Sequence, residues 1–157
     1  MMPLNEDVTR NARDSWGAAT AHLIAAVRAF PGNWDAPSDC GDWTDRQLLA
    51  HLATGYVVRL AVLRAAVDAH PMPPPVDVDD ANDENVRAFA SMSIDAIAGR
   101  ILAVRREVRA LLGRIAPGHL DLQTPLEAGS VRQALPVLSR HDLEHLAQLR
   151  LSPRAPP

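Results

Sequence analysis

Two histidines one helical turn apart, near the C-terminal end of the sequence, constrain this chain more than any other feature. The stretch Ser130–Arg150 has the periodicity of an amphipathic helix. At 100° per residue, His141 and His145 lie on its apolar face. That face also carries Val131, Ala134, Leu138 and Leu149. Imidazoles at this spacing can both reach one ion, so we predict two inward-facing metal ligands. Two core histidines hydrogen-bonded to carbonyl groups are the alternative.

Three further amphipathic stretches predict an all-α protein. Apolar residues recur at three- and four-residue spacing over Asn5–Phe30, Thr44–Ala69 and Ala81–Ile115, and the last of these is expected to be interrupted near Ser91–Ser93. With the histidine-bearing stretch they make four helices. The sequence therefore predicts a four-helix bundle, whose interior can hold a site built from facing helices.

Local signals mark where two of these helices begin. Thr44 is followed three residues later by Gln47, and Ser130 is followed in the same way by Gln133. Each pair is the sequence signature of a capping box. Pro136 lies inside the fourth helix, where we expect it to kink the helix or delay its regular start.

Length and cysteine content limit the architecture. We expect residues 1–150 of the 157 to form one domain and residues 151–157 to be a disordered tail. The single cysteine, Cys40, excludes an internal disulfide framework and a cysteine-based zinc site. The chain has no secretion signal and no apolar run of membrane-spanning length, so we expect a cytoplasmic protein that does not bind membranes.

Charged residues are assigned to the solvent-exposed surface. The net charge is −3, and the arginines of the third helix, including Arg105, are expected on its outer face without forming the basic cluster that nucleic acid requires. Asp142, on the fourth helix, is expected to be a surface acid, with an orienting role toward the ligands as the alternative.

The depth of a third histidine selects between bundle topologies. His51 lies about 10 Å below the start of the second helix. If the fourth helix runs antiparallel to the second, His145 and His141 lie about 8 and 14 Å from that same end. In up-down-up-down order they would lie about 17 and 23 Å away and would miss His51. A shared site therefore requires up-down-down-up topology, and the proline-rich segment after His70 can supply the long crossover between helices two and three, spanning roughly 30 Å.

Other side chains near these histidines are candidates for a pocket. Gly55 leaves room for a ligand beside the second helix. Arg59, one turn further on, is either a surface arginine or an anion anchor. Glu144 and Gln148 are candidates for orienting ligands or substrate. His22 lies at the flank of the first helix's apolar stripe, as a packing residue or as part of the pocket.

Several segments resemble a known family. DWTDRQLLAHLA (42–53) and SRHDLEHLAQLR (139–150) are similar to the signature segments of DinB/YfiT-like metal-binding four-helix bundles. The resemblance is greatest to the N-terminal domain of mycothiol-dependent maleylpyruvate isomerase, whose third helix resembles DDANDENVRAFASMSIDAIAGRILAVRREV. It implies an up-down-down-up bundle, often dimeric, in which His51, His141 and His145 hold zinc, with nickel as the alternative. It also implies a low-molecular-weight thiol, such as mycothiol or bacillithiol, as cosubstrate.

The same resemblance bounds the expected activity. The isomerase carries a second domain after the bundle, whereas this chain ends seven residues after Arg150. We therefore expect a stand-alone domain without full isomerase activity.

Three neutral imidazoles leave one coordination position open, as in catalytic zinc sites. A thiol bound there would lose its proton near neutral pH and become a nucleophile. We therefore expect a metal-dependent thiol S-transferase or isomerase-like enzyme that acts on an electrophilic substrate. The alternative is a non-catalytic, metal-stabilised bundle that dimerises or binds a partner, because a fold alone does not decide function.

Overall fold

The computed structural model describes residues 4–30, 32–75, 77–126 and 129–149. Within these residues the chain is all-α, as predicted, and no β-strand occurs. Arg150 and the predicted tail at 151–157 lie outside the described residues. The elements are α1 (Leu4–Ala29), α2 (Asp45–Thr54), α3 (Val57–Asp68), α4 (Val78–Phe89), α5 (Ile94–Leu112), a 3₁₀ turn (Pro117–His119) and α6 (Val131–Gln148).

Capping boxes fix the starts of the two helices that carry the histidines. The Thr44 hydroxyl accepts a hydrogen bond from the Gln47 amide, and the Gln47 side chain accepts one from the Thr44 amide at 2.9 Å. Ser130 and Gln133 make the same reciprocal pair before α6. Both predicted capping boxes are confirmed. Pro136 lies within α6, which runs continuously from Val131.

The predicted second helix is wrong as one continuous element. The chain forms α2 and α3 instead, separated by a turn at Gly55 and Tyr56. At this turn the Tyr56 side chain enters the core, where it is fully buried and meets the Trp16 ring edge-on, with 4.8 Å between ring centroids. Burial of two aromatic rings in this geometry stabilises the fold and anchors the break between the helices.

The predicted interruption of the third helix is confirmed. α4 ends at Phe89 and α5 begins at Ile94. Ser93 starts α5 by accepting a hydrogen bond from the Ala96 amide at 3.2 Å. The Ser93 cap satisfies one of the amides that a helix start leaves unpaired, which explains why α5 begins here.

The apolar core consists of two clusters, one toward each end of the long helices. The first joins the N-terminal half of α1 to α3, the C-terminal half of α5 and the start of α6. The second joins the C-terminal half of α1 to α2, the N-terminal half of α5 and the end of α6. On α6 the two histidines lie between Leu138 of the first cluster and Leu146, which packs against the second, and His51 lies on the last two turns of α2, before Tyr56 of the first cluster. The histidines of α2 and α6 therefore lie where the two clusters meet.

Two polar contacts join helix ends. An Arg46 Nη atom on α2 donates to the Met92 carbonyl before α5 at 3.0 Å. At the opposite end, Arg114 pairs with Asp68 of α3 at 2.5 Å. The beginning of α2 is thus tied to the beginning of α5, and the end of α3 to the end of α5.

One segment of the described chain is long and apolar enough to span a membrane by composition. It comprises the 24 residues Asp45–Asp68, which contain α2 and α3. Of its most apolar stretch, 67% is buried inside the protein. The apolar residues of this segment are used to build the core.

Candidate metal centre

Three histidines from two helices converge on one point. His51 of α2 and His141 and His145 of α6 each offer one ring nitrogen, and these three atoms lie within 4.8 Å of one another. The Nε2 atoms of His51 and His141 are 3.2 Å apart. His51 is buried, whereas the other two rings are half-buried. The group therefore lies at the edge of the core, where a small ligand can approach from one side.

This donor set fits a divalent metal ion. Tetrahedral zinc with Zn–N bonds of about 2.0–2.1 Å places its ligand nitrogens about 3.3 Å apart. The 3.2 Å separation of the His51 and His141 Nε2 atoms matches that spacing. Imidazole nitrogens suit zinc and nickel, and three of them leave a position open on a four-coordinate ion.

The electrostatics of the site keep two of these rings neutral at neutral pH. Burial lowers the pKa of His51 to about 3, and positive charge on His141, His145 and Arg59 acts in the same direction. Burial also lowers the pKa of His145. A neutral imidazole keeps the lone pair that a metal ion requires.

In two of the rings the second nitrogen, Nδ1, contacts a neighbouring polar side chain. Nδ1 of His145 lies 2.6 Å from Oε1 of Gln148, and Nδ1 of His141 lies 3.2 Å from the Tyr56 hydroxyl. Partners at Nδ1 leave Nε2 of both rings directed at the common point, the usual arrangement of metal-binding histidines. Nδ1 of His51 is buried without a hydrogen-bond partner among the described residues.

Behind His141 lies a buried polar chain. The Tyr56 hydroxyl donates to Oδ1 of Asp142 at 2.5 Å, and the other oxygen of that carboxylate pairs with Arg105 of α5. Burial would raise the pKa of Asp142, but His141, Arg105 and Tyr56 outweigh it and lower that pKa. Burial, with the Asp142 charge, raises the pKa of Tyr56 well above its ordinary value. Asp142 is therefore charged and Tyr56 is neutral.

Trp16 closes the inner end of this chain. The Arg105 guanidinium lies 5.1 Å from the centroid of the Trp16 ring and 5.4 Å from that of Tyr56. Its Nη1 atom also donates to the Leu52 carbonyl at 3.4 Å. The cation is thereby held by two aromatic faces, a carbonyl and a carboxylate, which offsets the cost of its burial.

A cleft of about 150 Å³ lies beside Gly55, which contacts His51. Its polar lining residues are Thr54, Arg59, Asn82 and Asn85, and most of its remaining wall is apolar. Gly55 also lines the cleft, and a Cβ built on Gly55 would lie 3.4 Å from Nε2 of His51. Asn82 also opposes the lowering of the His51 pKa. The cleft therefore lies next to His51, one of the three candidate metal ligands.

Comparison with known proteins identifies the family. Residues 16–147 match the family described as the mycothiol maleylpyruvate isomerase N-terminal domain. The chain belongs to this family. The resemblance read from the sequence is confirmed, and it is consistent with the wider DinB-like superfamily.

Two crystal structures of mycothiol-dependent maleylpyruvate isomerase, one of them of a histidine-to-alanine mutant, share the fold. Each superposes with a TM-score of 0.80 at 15% sequence identity over 96% of this chain. The chain spans 65% and 64% of the length of those two structures. No curated protein matches the sequence.

Of the other predicted site residues in this mycothiol maleylpyruvate isomerase N-terminal domain, two lie at the site and two lie on the exposed surface. Gln148 contacts His145, as described above. Arg59 lines the cleft, where it donates to the Gly55 carbonyl at 3.0 Å. Glu144 is exposed and pairs with Arg140 at 3.6 Å. His22 is exposed on α1 and makes no hydrogen bond to the cluster among the described residues.

Two expectations about the charged residues of this domain were wrong. Arg105, expected on the outer face of its helix, is 3% exposed, and Asp142, expected at the surface, is 1% exposed. Each carries the charge that the other needs, so the pair can be buried where either residue alone could not. A signal was present in the sequence: Arg105 lies four residues after Ile101 and three before Val108, on the apolar stripe of α5.

Tyr56 was missed altogether. It is the single tyrosine of the chain and directly follows Gly55, a combination that could have indicated a buried aromatic at a helix break. Its role depends on that break, which helical periodicity alone does not reveal.

Proposed function

We propose that this domain binds one divalent metal ion, zinc or alternatively nickel, through His51, His141 and His145. The convergence of three ring nitrogens within 4.8 Å carries the proposal. The lowered pKa values of His51 and His145, and the outer partners of His141 and His145, support it. The three ligands together leave one position open to a cosubstrate.

We also propose the up-down-down-up topology, with a long crossover between the α2–α3 pair and the α4–α5 pair. The contacts at the two ends of α5 support parallel α2–α3 and α5. An amide–carbonyl hydrogen bond of 2.9 Å from Asp39 to Gln148 ties the end of α6 to the loop before α2, which supports antiparallel α2 and α6. Residues 69–75, which contain the prolines, form no helix and can serve as the crossover.

The activity we propose is activation of a low-molecular-weight thiol for S-transfer or isomerisation. A bound divalent ion of this class stabilises the thiolate form of a thiol near neutral pH. The chain supplies three uncharged ligands, so no carboxylate among them reduces the positive charge that favours the thiolate. The one carboxylate behind the ligands, Asp142, is already balanced by Arg105. The family and the solved relatives are mycothiol-dependent by name, which supports a thiol of this kind.

The cleft beside Gly55 is the proposed place for the rest of the reactants. Its apolar wall suits an uncharged body, and Arg59 is proposed to hold an anionic or strongly polar group of the electrophilic substrate. Asn82 and Asn85 can donate and accept further hydrogen bonds there. A cytoplasmic location and a homodimer stay predictions from the sequence.

Metal analysis of untagged protein tests the first step. We expect about one divalent ion per chain in the wild type and a loss of most of it in the double variant His51→Ala/His145→Ala. His22→Ala, which removes an exposed histidine outside the cluster, is the matched control and should keep the ion. Absence of the ion from the wild type, or its retention in the double variant, would contradict the proposal.

Cobalt substitution tests the thiol. A thiolate that binds cobalt at this site should change the visible spectrum of the cobalt protein. If the cobalt protein forms but its spectrum is unchanged by mycothiol and by smaller thiols, the domain is a metal-stabilised binding module and not a thiol-activating enzyme.

A further inference from the structure

We propose that Tyr56, Asp142 and Arg105 form a positioning chain that selects the tautomer of His141. This proposal rests on the metal site proposed above. It assigns a role to three buried residues, from the α2–α3 turn, α6 and α5, that do not themselves reach the candidate metal position.

The first step concerns the direction of each hydrogen bond. Around the Tyr56 hydroxyl lie Oδ1 of Asp142 at 2.5 Å, the Leu138 carbonyl oxygen at 2.9 Å and Nδ1 of His141 at 3.2 Å. The hydroxyl has one proton, and two of its three neighbours are oxygen atoms that can only accept it. A charged carboxylate at the shortest distance is the strongest acceptor of the three.

The second step follows for His141. Because the Tyr56 proton is given to Asp142, the Tyr56 oxygen is left as an acceptor, and the His141 nitrogen facing it must carry hydrogen. His141 is therefore held as the Nδ1–H tautomer with its Nε2 lone pair directed toward His51. An unrestrained neutral imidazole prefers the opposite tautomer, so without this chain the lone pair needed for the metal would face away from it.

The third step concerns Arg105. It donates from Nη2 to Oδ2 of Asp142, which fixes the carboxylate so that Oδ1 is the acceptor facing the Tyr56 hydroxyl. Without Arg105 nothing in this polar chain would fix the orientation of the carboxylate, and the Tyr56 proton could turn toward another acceptor. Arg105 itself is 3% exposed and is enclosed by the Trp16 and Tyr56 rings. It thus acts on His141 through Asp142 and Tyr56.

Tyr56→Phe is the direct test. It removes one oxygen atom and keeps the ring that packs against Trp16. Long-range proton–nitrogen NMR correlations of the metal-free protein, assigned with the His141→Gln spectrum, should show the Nδ1–H tautomer in the wild type and a majority of Nε2–H in the variant. Zinc affinity should fall about tenfold to a hundredfold, the usual effect of removing an outer partner of a metal ligand.

A double variant separates positioning from folding. Arg105→Met/Asp142→Leu removes both charges together and leaves neither unpaired, an exchange that stable folds often tolerate. It keeps the Tyr56 hydroxyl but frees its proton, so we expect mixed His141 tautomers and weaker zinc binding in a folded protein. Val131→Ala, a buried truncation ten residues before His141, should lower stability and change neither readout.

The outcomes are distinct. Unchanged His141 tautomer and zinc affinity in both Tyr56→Phe and the double variant would overturn the positioning chain while leaving the metal site intact. If the wild type binds no zinc, the proposed function fails. The NMR result on the metal-free protein still decides whether Tyr56, Asp142 and Arg105 set the tautomer of His141. A tautomer change in Tyr56→Phe without any change in zinc affinity would overturn the inference that the tautomer serves the metal.

Discussion

The ring of His51 lies directly against the backbone of Gly55, one helical turn further along the chain. A Cβ at position 55 would lie 3.1 Å from Cε1 of His51 and 3.0 Å from its carbonyl oxygen. Both distances are shorter than ordinary van der Waals contact, so the close approach of this ring depends on the missing side chain. Gly55 also lines the cleft, so the missing side chain leaves room there next to His51.

Gly55→Ala should therefore weaken zinc binding without straining the backbone. Gly55 has helical backbone angles (φ −60°, ψ −8°), so alanine costs no backbone strain, but its methyl group must displace the His51 ring. We expect zinc affinity to fall about tenfold, an effect of the size seen when a ligand's orientation is disturbed. Gly99→Ala is the control: nothing lies near its Cβ, so it should add about 0.4–1 kcal/mol of stability and leave zinc affinity unchanged. Equal zinc affinity in both variants would show that the close contact is irrelevant.

Gln148 should tune His145 through the 2.6 Å contact with its outer nitrogen. Gln148→Ala removes the acceptor and is expected to weaken zinc binding about tenfold. Gln148→Glu keeps an acceptor and adds charge, so affinity should recover to the wild-type level or above. Isothermal titration with zinc measures both. Glu144→Gln, on the same helix but exposed and paired with Arg140, should have no effect; a loss as large as that of Gln148→Ala would contradict a specific role for Gln148.

Helical periodicity predicted the histidine cluster because the relevant interactions are local. His141 and His145 share a face through the geometry of one helix, and the depth of His51 follows from the rise per residue. The cluster was therefore accessible from the sequence, as were the two capping boxes that start α2 and α6. The break at Gly55 and Tyr56 was not predicted, because the helical spacing of apolar residues continues across it, and only the glycine next to the single tyrosine signals it.

The buried chain behind His141 could not be predicted in the same way. Whether Arg105 faces solvent or core depends on a partner from another helix, Asp142, and the register between α5 and α6 is not written in either helix alone. The periodicity of α5 places Arg105 on the apolar stripe, but a single buried charge is costly, so burial is not expected until a partner is known. The ion pair emerges only when the two helices are packed together.

The metal-free protein should lose stability as the pH falls below about 6.5. The folded state lowers the pKa of His51 to about 3 from 6.5, so between these values protons bind only to the unfolded chain and favour it. From pH 8 to pH 5 this group costs about 2 kcal/mol of unfolding free energy. The lowered pKa of His145 acts in the same direction. Urea unfolding at the two pH values measures the loss.

The control for this pH dependence is a pair of glutamine variants. The glutamine in His51→Gln cannot be protonated. The unfolding free energy of this variant should therefore fall about 2 kcal/mol less than that of the wild type between pH 8 and pH 5. His22→Gln removes an exposed histidine and should behave as the wild type. If His51→Gln kept the full pH dependence, the neutral state of His51 in the folded protein would be disproved.

Removal of the metal should lower the melting temperature in a way that depends on the histidines. An ion that binds only the folded state, present at a hundred times its dissociation constant, adds about 2.7 kcal/mol. For a chain of this size that corresponds to a shift of about 5–10 °C. Scanning calorimetry with zinc and with a chelator should show this shift in the wild type and in His22→Ala, and none in His51→Ala/His145→Ala. A shift of equal size in the double variant would mean that zinc stabilises the fold elsewhere, because that variant retains only one of the three converging rings.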